Sequence, residues 1–162
     1  MFSLNIRTCL VSTYFLCAVG SAQAPLQPVS WAASIAKNDL KQGTRTTLDV
    51  KADIQDGWHV YGLNQAADGP TPLYIAIDEN DIAQSAGAVS ATKPMKQRDA
   101  SFGIETETYT HSLVLHLPVQ VKQHAPSGDQ SVSVSVRFQS CNDRICLPPK
   151  TVRLAAPIVV LP

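Results

Sequence analysis

Charge is scarce in this 162-residue chain and neither sign prevails: charged residues make up 16%, with 13 Lys and Arg against 13 Asp and Glu. Without a basic stripe there is no electrostatic footprint for a nucleic-acid backbone. Without a polybasic patch there is none for anionic lipid. No nucleic-acid partner is therefore expected. Long apolar runs are missing too. A membrane-spanning helix needs about 20 apolar residues, and the run at the start, Cys9 to Gly20, has 12. The helical period of an amphipathic segment is absent, as are internal repeats and low-complexity tracts; Asn80 to Gln84 has room for one helical turn. Aromatic residues amount to 6%, and cysteine occurs four times, twice before Ala18.

The first residues read as a secretory signal peptide. Met1 to Arg7 carries one positive charge and no acid, the apolar run follows, and small residues end it at Ser21-Ala22-Gln23-Ala24. Pro25 hinders cleavage after Ala24, so a cut after Ala22 is a second option. Cys17 follows Tyr14-Phe15-Leu16, which lacks the small residues of a lipoprotein signal. Residues 1–24 are thus expected to be removed, leaving 25–162 as one soluble domain in an exported, oxidising compartment, with no direct membrane insertion. Removal takes Arg7 and no acid from the balance of 13 against 13, a net charge of −1.

What remains is rich in two-residue alternation. Leu48, Val50, Ala52 and Ile54 repeat on one side of Thr46 to Ile54. So do Leu73, Ile75 and Ile77, then Leu113 through Val121, then Val132, Val134, Val136 and Phe138. Period two means one buried and one solvated face. Trp31 to Ile35 supplies a first strand, Thr151 to Leu154 a late one, and Ile158 to Leu161 pairs with an edge. The pattern predicts an all-β fold, an antiparallel sandwich of about seven strands. Gly62 to Pro72 and Pro94 to Glu107 read as loops, the second with Phe102-Gly103 stranded among polar residues.

Two cysteines remain, Cys141 and Cys146, separated by Asn142-Asp143-Arg144-Ile145. Four residues suit a hairpin connection, with Asn and Asp as its turn formers. The cysteines then face one another at a Cα separation of about 5.5 Å, which accepts a disulfide. Pro148 and Pro149 donate nothing to a ladder, so Cys146 falls on an edge. Such a bond is either a staple or a working redox pair. Closing a loop of about six residues stabilises by only about 2 kcal/mol, and short, exposed hairpin links are the labile ones, which favours the working pair.

These residues resemble a known family. Val136 to Pro149 (VRFQSCNDRICLPP) is similar to the cysteine hairpin of the amino-terminal periplasmic domain of DsbD-type thiol:disulfide interchange proteins. Asp56-Gly-Trp-His-Val-Tyr61 with the following Gly-Pro-Thr-Pro stretch, and Asp99-Ala-Ser-Phe-Gly103 before Tyr109, are similar to further parts of that domain. The resemblance runs from about Trp31 to the end. It implies an immunoglobulin-like antiparallel β-sandwich acting as a thiol–disulfide oxidoreductase without cofactor or metal. Electrons would come from a membrane-embedded thiol reductase and pass to thioredoxin-like and other oxidised periplasmic proteins through transient mixed disulfides. It also implies that Cys146 meets the partner, that Cys141 resolves the mixed disulfide, and that Asp99 to Gly103 caps the pair. Aligned on Gly103, the capping aromatic falls on Ser101, whereas the aromatic present is Phe102; both positions are cap candidates. Full-length members continue into membrane helices and a thioredoxin-like domain, so a chain stopping at Pro162 is expected to need a separate reductant.

Other polar residues carry two readings. His59 lines the site or sits half-buried in a strand; Tyr61 and Tyr109 line the site or belong to the core or rim. Arg144 favours a thiolate and Asp143 opposes it, unless both are solvated turn charges. His111 and His116, read as five apart on one strand and so on opposite faces, form no ligand cluster with His124. Met95 with a cysteine or histidine would suit copper(I). The alternatives to a redox module are a secreted binding sandwich with an inert disulfide and a copper(I) carrier.

Overall fold

Residues 26–37 and 39–162 are described by a computed structural model. The expected signal segment, residues 1–24, lies outside the described residues. Thirteen strands follow one another: β1 (Val29–Ile35), β2 (Asp39–Lys41), β3 (Arg45–Ile54), β4 (His59–Tyr61), β5 (Tyr74–Ile77), β6 (Ala83–Ser85) and β7 (Ser90–Ala91). Then come β8 (Met95–Arg98), β9 (Glu105–Tyr109), β10 (Ser112–Val121), β11 (Gly128–Phe138), β12 (Ser140–Cys141) and β13 (Lys150–Leu161). No helix occurs among the described residues.

The alternating segments form the framework. Leu48, Val50, Ala52 and Ile54 of β3, Leu113 to Val121 of β10 and Val132 to Phe138 of β11 turn their apolar side chains into one continuous core. Each fully buried aliphatic side chain there contributes about 1.5–3 kcal/mol of burial free energy. One sheet has the order β1-β3-β10-β6, with β7 also on β10. The facing sheet has the order β2-β13-β11-β5. In chain order these are the A-B-E-D and C-F-G sheets of an immunoglobulin-like sandwich. The short β2 pairs in parallel with the end of β13.

Prolines mark where pairing stops. The Pro118 carbonyl in β10 accepts from the Ala86 N–H at 2.8 Å, but its nitrogen has nothing to return, and the neighbouring edge breaks there into β6 and β7. Pro157 sits in β13 opposite Ser131, with its other side on the open edge before β2 begins at Val159. The two expected tail segments are therefore one strand, Lys150–Leu161.

Three other expectations are corrected. Asn80 to Gln84 forms no helical turn: Asn80 Oδ1 accepts the N–H groups of Ile82 and Ala83, each at 2.8 Å, and this Asx turn launches β6. The segment Pro94 to Glu107 is a hairpin, β8 against β9, with its turn at Asp99–Ile104. His111 lies in the turn before β10, at φ +63°, not in the strand.

A third sheet, β12-β4-β9-β8, sits beside the sandwich. β4 belongs to the connection from β3 to β5, β8 and β9 to that from β7 to β10, and β12 to that from β11 to β13. Successive sandwich strands reverse direction, so alternate connections emerge at one end. There, three of them hydrogen-bond into a sheet that carries both cysteines and the hairpin with Phe102.

Candidate functional site

At Phe138 the β11 strand ends, and Gln139 carries the chain across to the third sheet. Its carbonyl accepts from Tyr61 N–H at 3.3 Å and its Oε1 from Thr71 N–H at 2.8 Å. Ser140 and Cys141 then pair with Val60 and His59. Asn142 closes the turn: its N–H donates to the Ile145 carbonyl at 2.9 Å, and its Oδ1 accepts from Arg144 and Ile145, each at 2.9 Å. Leu147 N–H returns to the Ser140 carbonyl at 2.9 Å.

These bonds flank the cysteines, which makes Cys141 and Cys146 a non-hydrogen-bonded pair, the closer kind in an antiparallel ladder. Their Cα atoms are 4.1 Å apart, nearer than the hydrogen-bonded spacing expected from sequence, and they are joined as a disulfide. The two halves of that bond differ in access. Cys141 is 1% exposed, whereas Cys146 is exposed, followed by the exposed Pro148 and Pro149. Asp143 and Arg144 are solvated at the turn.

Asp99 organises the other hairpin. Its N–H donates to the Ile104 carbonyl and its carbonyl accepts from Gly103, both at 2.8 Å. Its Oδ1 accepts the N–H groups of Ser101 at 2.8 Å and Phe102 at 3.2 Å. Its Oδ2 accepts the Tyr61 hydroxyl at 2.8 Å. Gly103 completes the turn at φ +70°, where a side chain would be strained. The carboxylate, 7% exposed, thus latches the tip onto β4. Phe102 follows it down: its ring meets Tyr61 edge-on at 5.9 Å, while Ser101 is exposed. Of the two residues expected from sequence as cap candidates, Phe102 is the one that packs against Tyr61.

His59 and Tyr61, two apart on β4, share a face, with ring centroids 5.1 Å apart and nearly perpendicular. Burial and then the hydrogen bond to Asp99 push the Tyr61 phenol up, so it stays a proton donor. Burial pulls His59 below its ordinary value, against the opposing pull of Asp99 and Asp143, so its imidazole is neutral at pH 7. Tyr109 is not brought to the pair. It pairs with Val60 and faces the core, its phenol raised by burial.

Two residues escaped the sequence reading. Thr106 and Thr108 of β9 are buried on the face shared with Tyr61, and their hydroxyls, like His59 Nε2, have no hydrogen-bond partner in the protein. Their signal was the alternation within Glu105–Tyr109, which places both on one side. The loop from Gly62 covers them: Gly62 N–H and Gln65 Nε2 both donate to the Glu107 carbonyl at 2.7 Å.

Hollows flank the cysteine hairpin. One of about 230 Å³ is lined by Trp58, His59, Met95, Thr110, His111 and Asp143. The other, about 470 Å³ and largely apolar, is lined by Leu26, Val29, Phe138, Leu147, Pro148 and Pro149. Among the described residues no three His, Cys, Asp or Glu side chains converge as metal ligands; Met95 is 48% exposed on β8. Chemically, the arrangement offers one sulfur to an incoming thiolate and keeps its bonded partner recessed as the leaving group.

A search of curated proteins finds no match. Among solved structures, the reduced N-terminal domain of Neisseria meningitidis DsbD is 21% identical, with TM-score 0.46, over 70% of this chain and 75% of that one. The N-terminal periplasmic domain of ScsB from Proteus mirabilis is 17% identical, with TM-score 0.49, over 78% of this chain. BcpA, the major pilin subunit of Bacillus cereus, is 14% identical, with TM-score 0.47, over 83%. The chain spans 44% of the ScsB structure and 40% of the pilin. The model of the family described as "Thiol:disulfide interchange protein DsbD, N-terminal" matches residues 23–156, nearly the whole described chain. With its cysteine hairpin and the Asp99 turn inside that span, the chain belongs to the DsbD N-terminal family of thiol:disulfide interchange domains.

Proposed function

We propose that residues 25–162 form an exported, periplasmic domain that relays electrons through the Cys141–Cys146 pair, from a membrane-embedded thiol reductase to oxidised envelope proteins of thioredoxin-like type. The observation that carries this is the asymmetry of one disulfide, with Cys146 exposed and Cys141 at 1%. A reductant thiolate attacks Cys146 Sγ, the intramolecular bond breaks and Cys141 leaves as the thiolate; a second reductant thiol resolves the adduct and releases the dithiol form. In the forward direction Cys146 attacks the partner's disulfide, and Cys141 closes on it to release the reduced partner. Asp99 and Gly103 shape the tip that brings Phe102 onto Tyr61, whose ring meets His59 opposite Cys141. Cys146 stays exposed, which leaves room for a docking chain.

Exchange with a protein dithiol tests this reading. The oxidised protein mixed with a reduced thioredoxin-fold dithiol protein should be reduced at least tenfold faster than by glutathione at equal thiol concentration, followed by alkylation of quenched samples. No reduction by the protein dithiol, under conditions where dithiothreitol succeeds, contradicts it.

A further inference from the structure

We infer that His59 is the proton acceptor for Cys141 in the resolving step, an assignment that rests on the exchange reading above. Register places it there. Cys141 pairs with His59 across β12 and β4, and directly opposed residues have Cβ atoms about 4.5–5.5 Å apart on one face of the sheet. Its Nε2 is buried and has no hydrogen-bond partner in the protein, a state that buried polar atoms seldom keep without a use.

The other polar groups nearby are committed or unsuited. Asp99 spends one carboxylate oxygen on the N–H groups of Ser101 and Phe102 and the other on the Tyr61 hydroxyl. Tyr61 donates that hydroxyl and its phenol is pushed up, so it cannot take a proton. Asp143 is solvated at the turn. Asp56 and His111, which line the same hollow, are exposed and 3.7 Å from one another. The charged groups that act on His59 from the packed elements are Asp99, from the β8–β9 tip, and Asp143, from the cysteine turn. Both favour the imidazolium, while burial keeps the resting imidazole neutral.

The step balances as follows. In the mixed disulfide, Cys146 Sγ is bonded to the partner's sulfur and Cys141 is a buried thiol. A thiol is a poor nucleophile until it loses its proton. His59 Nε2, in the Nδ1–H tautomer, takes that proton as Cys141 Sγ attacks Cys146 Sγ. The Cys141–Cys146 bond forms, the bond from Cys146 to the partner breaks, and its electron pair leaves on the partner's sulfur as a thiolate. The imidazolium then gives its proton to that thiolate or to solvent. The protein dithiol is oxidised by two electrons and the partner disulfide is reduced.

The test uses the reduced protein and a symmetrical nitrobenzoate aryl disulfide whose thiolate is coloured. Two thiolates are released, the first by attack of Cys146 and the second when Cys141 resolves the adduct. His59→Gln should leave the first phase within about twofold and slow the second about tenfold at pH 7, a cautious share of what a general base contributes. The deficit should narrow as pH rises, because hydroxide then removes the thiol proton without help from the imidazole. A role in packing alone would slow the phase equally at every pH, and a pH-independent ratio overturns the assignment. So does an unmoved His59 Nε2 resonance when the wild-type disulfide is reduced, a measurement that needs no variant to fold. Release of a single thiolate by the wild type would show that Cys141 does not resolve, and both the exchange reading and this role would fall.

Discussion

Replacing Cys141 with alanine should trap Cys146 as a stable mixed disulfide with an oxidised thioredoxin-like protein or the membrane reductase, and Cys146→Ala should trap at least tenfold less. The difference follows from where the two sulfurs lie. Cys146 is exposed, beside Pro148 and Pro149 whose missing N–H groups leave the edge unpaired for another chain. Cys141 is 1% exposed, held between Cys146 and His59 in the ladder. A thiolate must approach a disulfide sulfur along its bond axis, and that path to Cys141, on the side away from Cys146, is the side on which β4 and His59 pair with it. Both variants should fold, since a loop of about six residues gives a link worth about 2 kcal/mol and neither cysteine belongs to the continuous hydrophobic core. Non-reducing gels of envelope extracts read the outcome. Adducts mainly from Cys146→Ala reverse the roles, and none from either variant favours a structural staple.

Tyr61→Phe should release the hairpin tip without unfolding the domain. The lost hydroxyl is the donor to Asp99 Oδ2, and the carboxylate it leaves is buried. Hydrogen bonds to charged groups contribute about 1.5–3 kcal/mol, which amounts to roughly ten- to a hundredfold in an opening equilibrium. Amide exchange at Ser101, Phe102 and Gly103 should therefore speed up by that factor, because the first two donate to Asp99 Oδ1 and the third to its carbonyl. Core amides of β3, β10 and β11 should keep their wild-type rates. Unchanged exchange at the tip would show that Phe102 packing alone holds it, since its edge-on contact with Tyr61 survives the substitution.

The long strands were legible because each buries one face completely. In β10 the residues Leu113, Leu115, Leu117, Val119 and Val121 leave no other reading of the period. The cysteine hairpin was legible because its contacts are local: five positions separate the sulfurs, and Asn142 supplies the turn chemistry. β8 was not, since all four of its residues are exposed and carry no alternation. The latch between Tyr61 and Asp99 bridges 38 positions and leaves no local pattern. Tyr109 carried two readings in sequence, site-lining or core, and only strand parity, which places it opposite Val60 and into the core, decides between them. Which residue of the β8–β9 tip packs inward was ambiguous for a related reason. Sequence places Ser101 and Phe102 side by side, and only the turn at Gly103 decides which of them meets Tyr61.

The account stands on one bond being a working redox couple, and a redox titration addresses that bond directly. The mature protein is equilibrated in glutathione or dithiothreitol buffers of graded potential, quenched with an alkylating reagent, and its free thiols are counted. The account predicts a reversible two-electron transition, with Cys141 and Cys146 opening together at a potential within reach of a biological dithiol and the fold intact on both sides. A structural disulfide stays closed down to about −300 mV; a bond that resists reduction to that point, or that opens only as the sandwich unfolds, would contradict it.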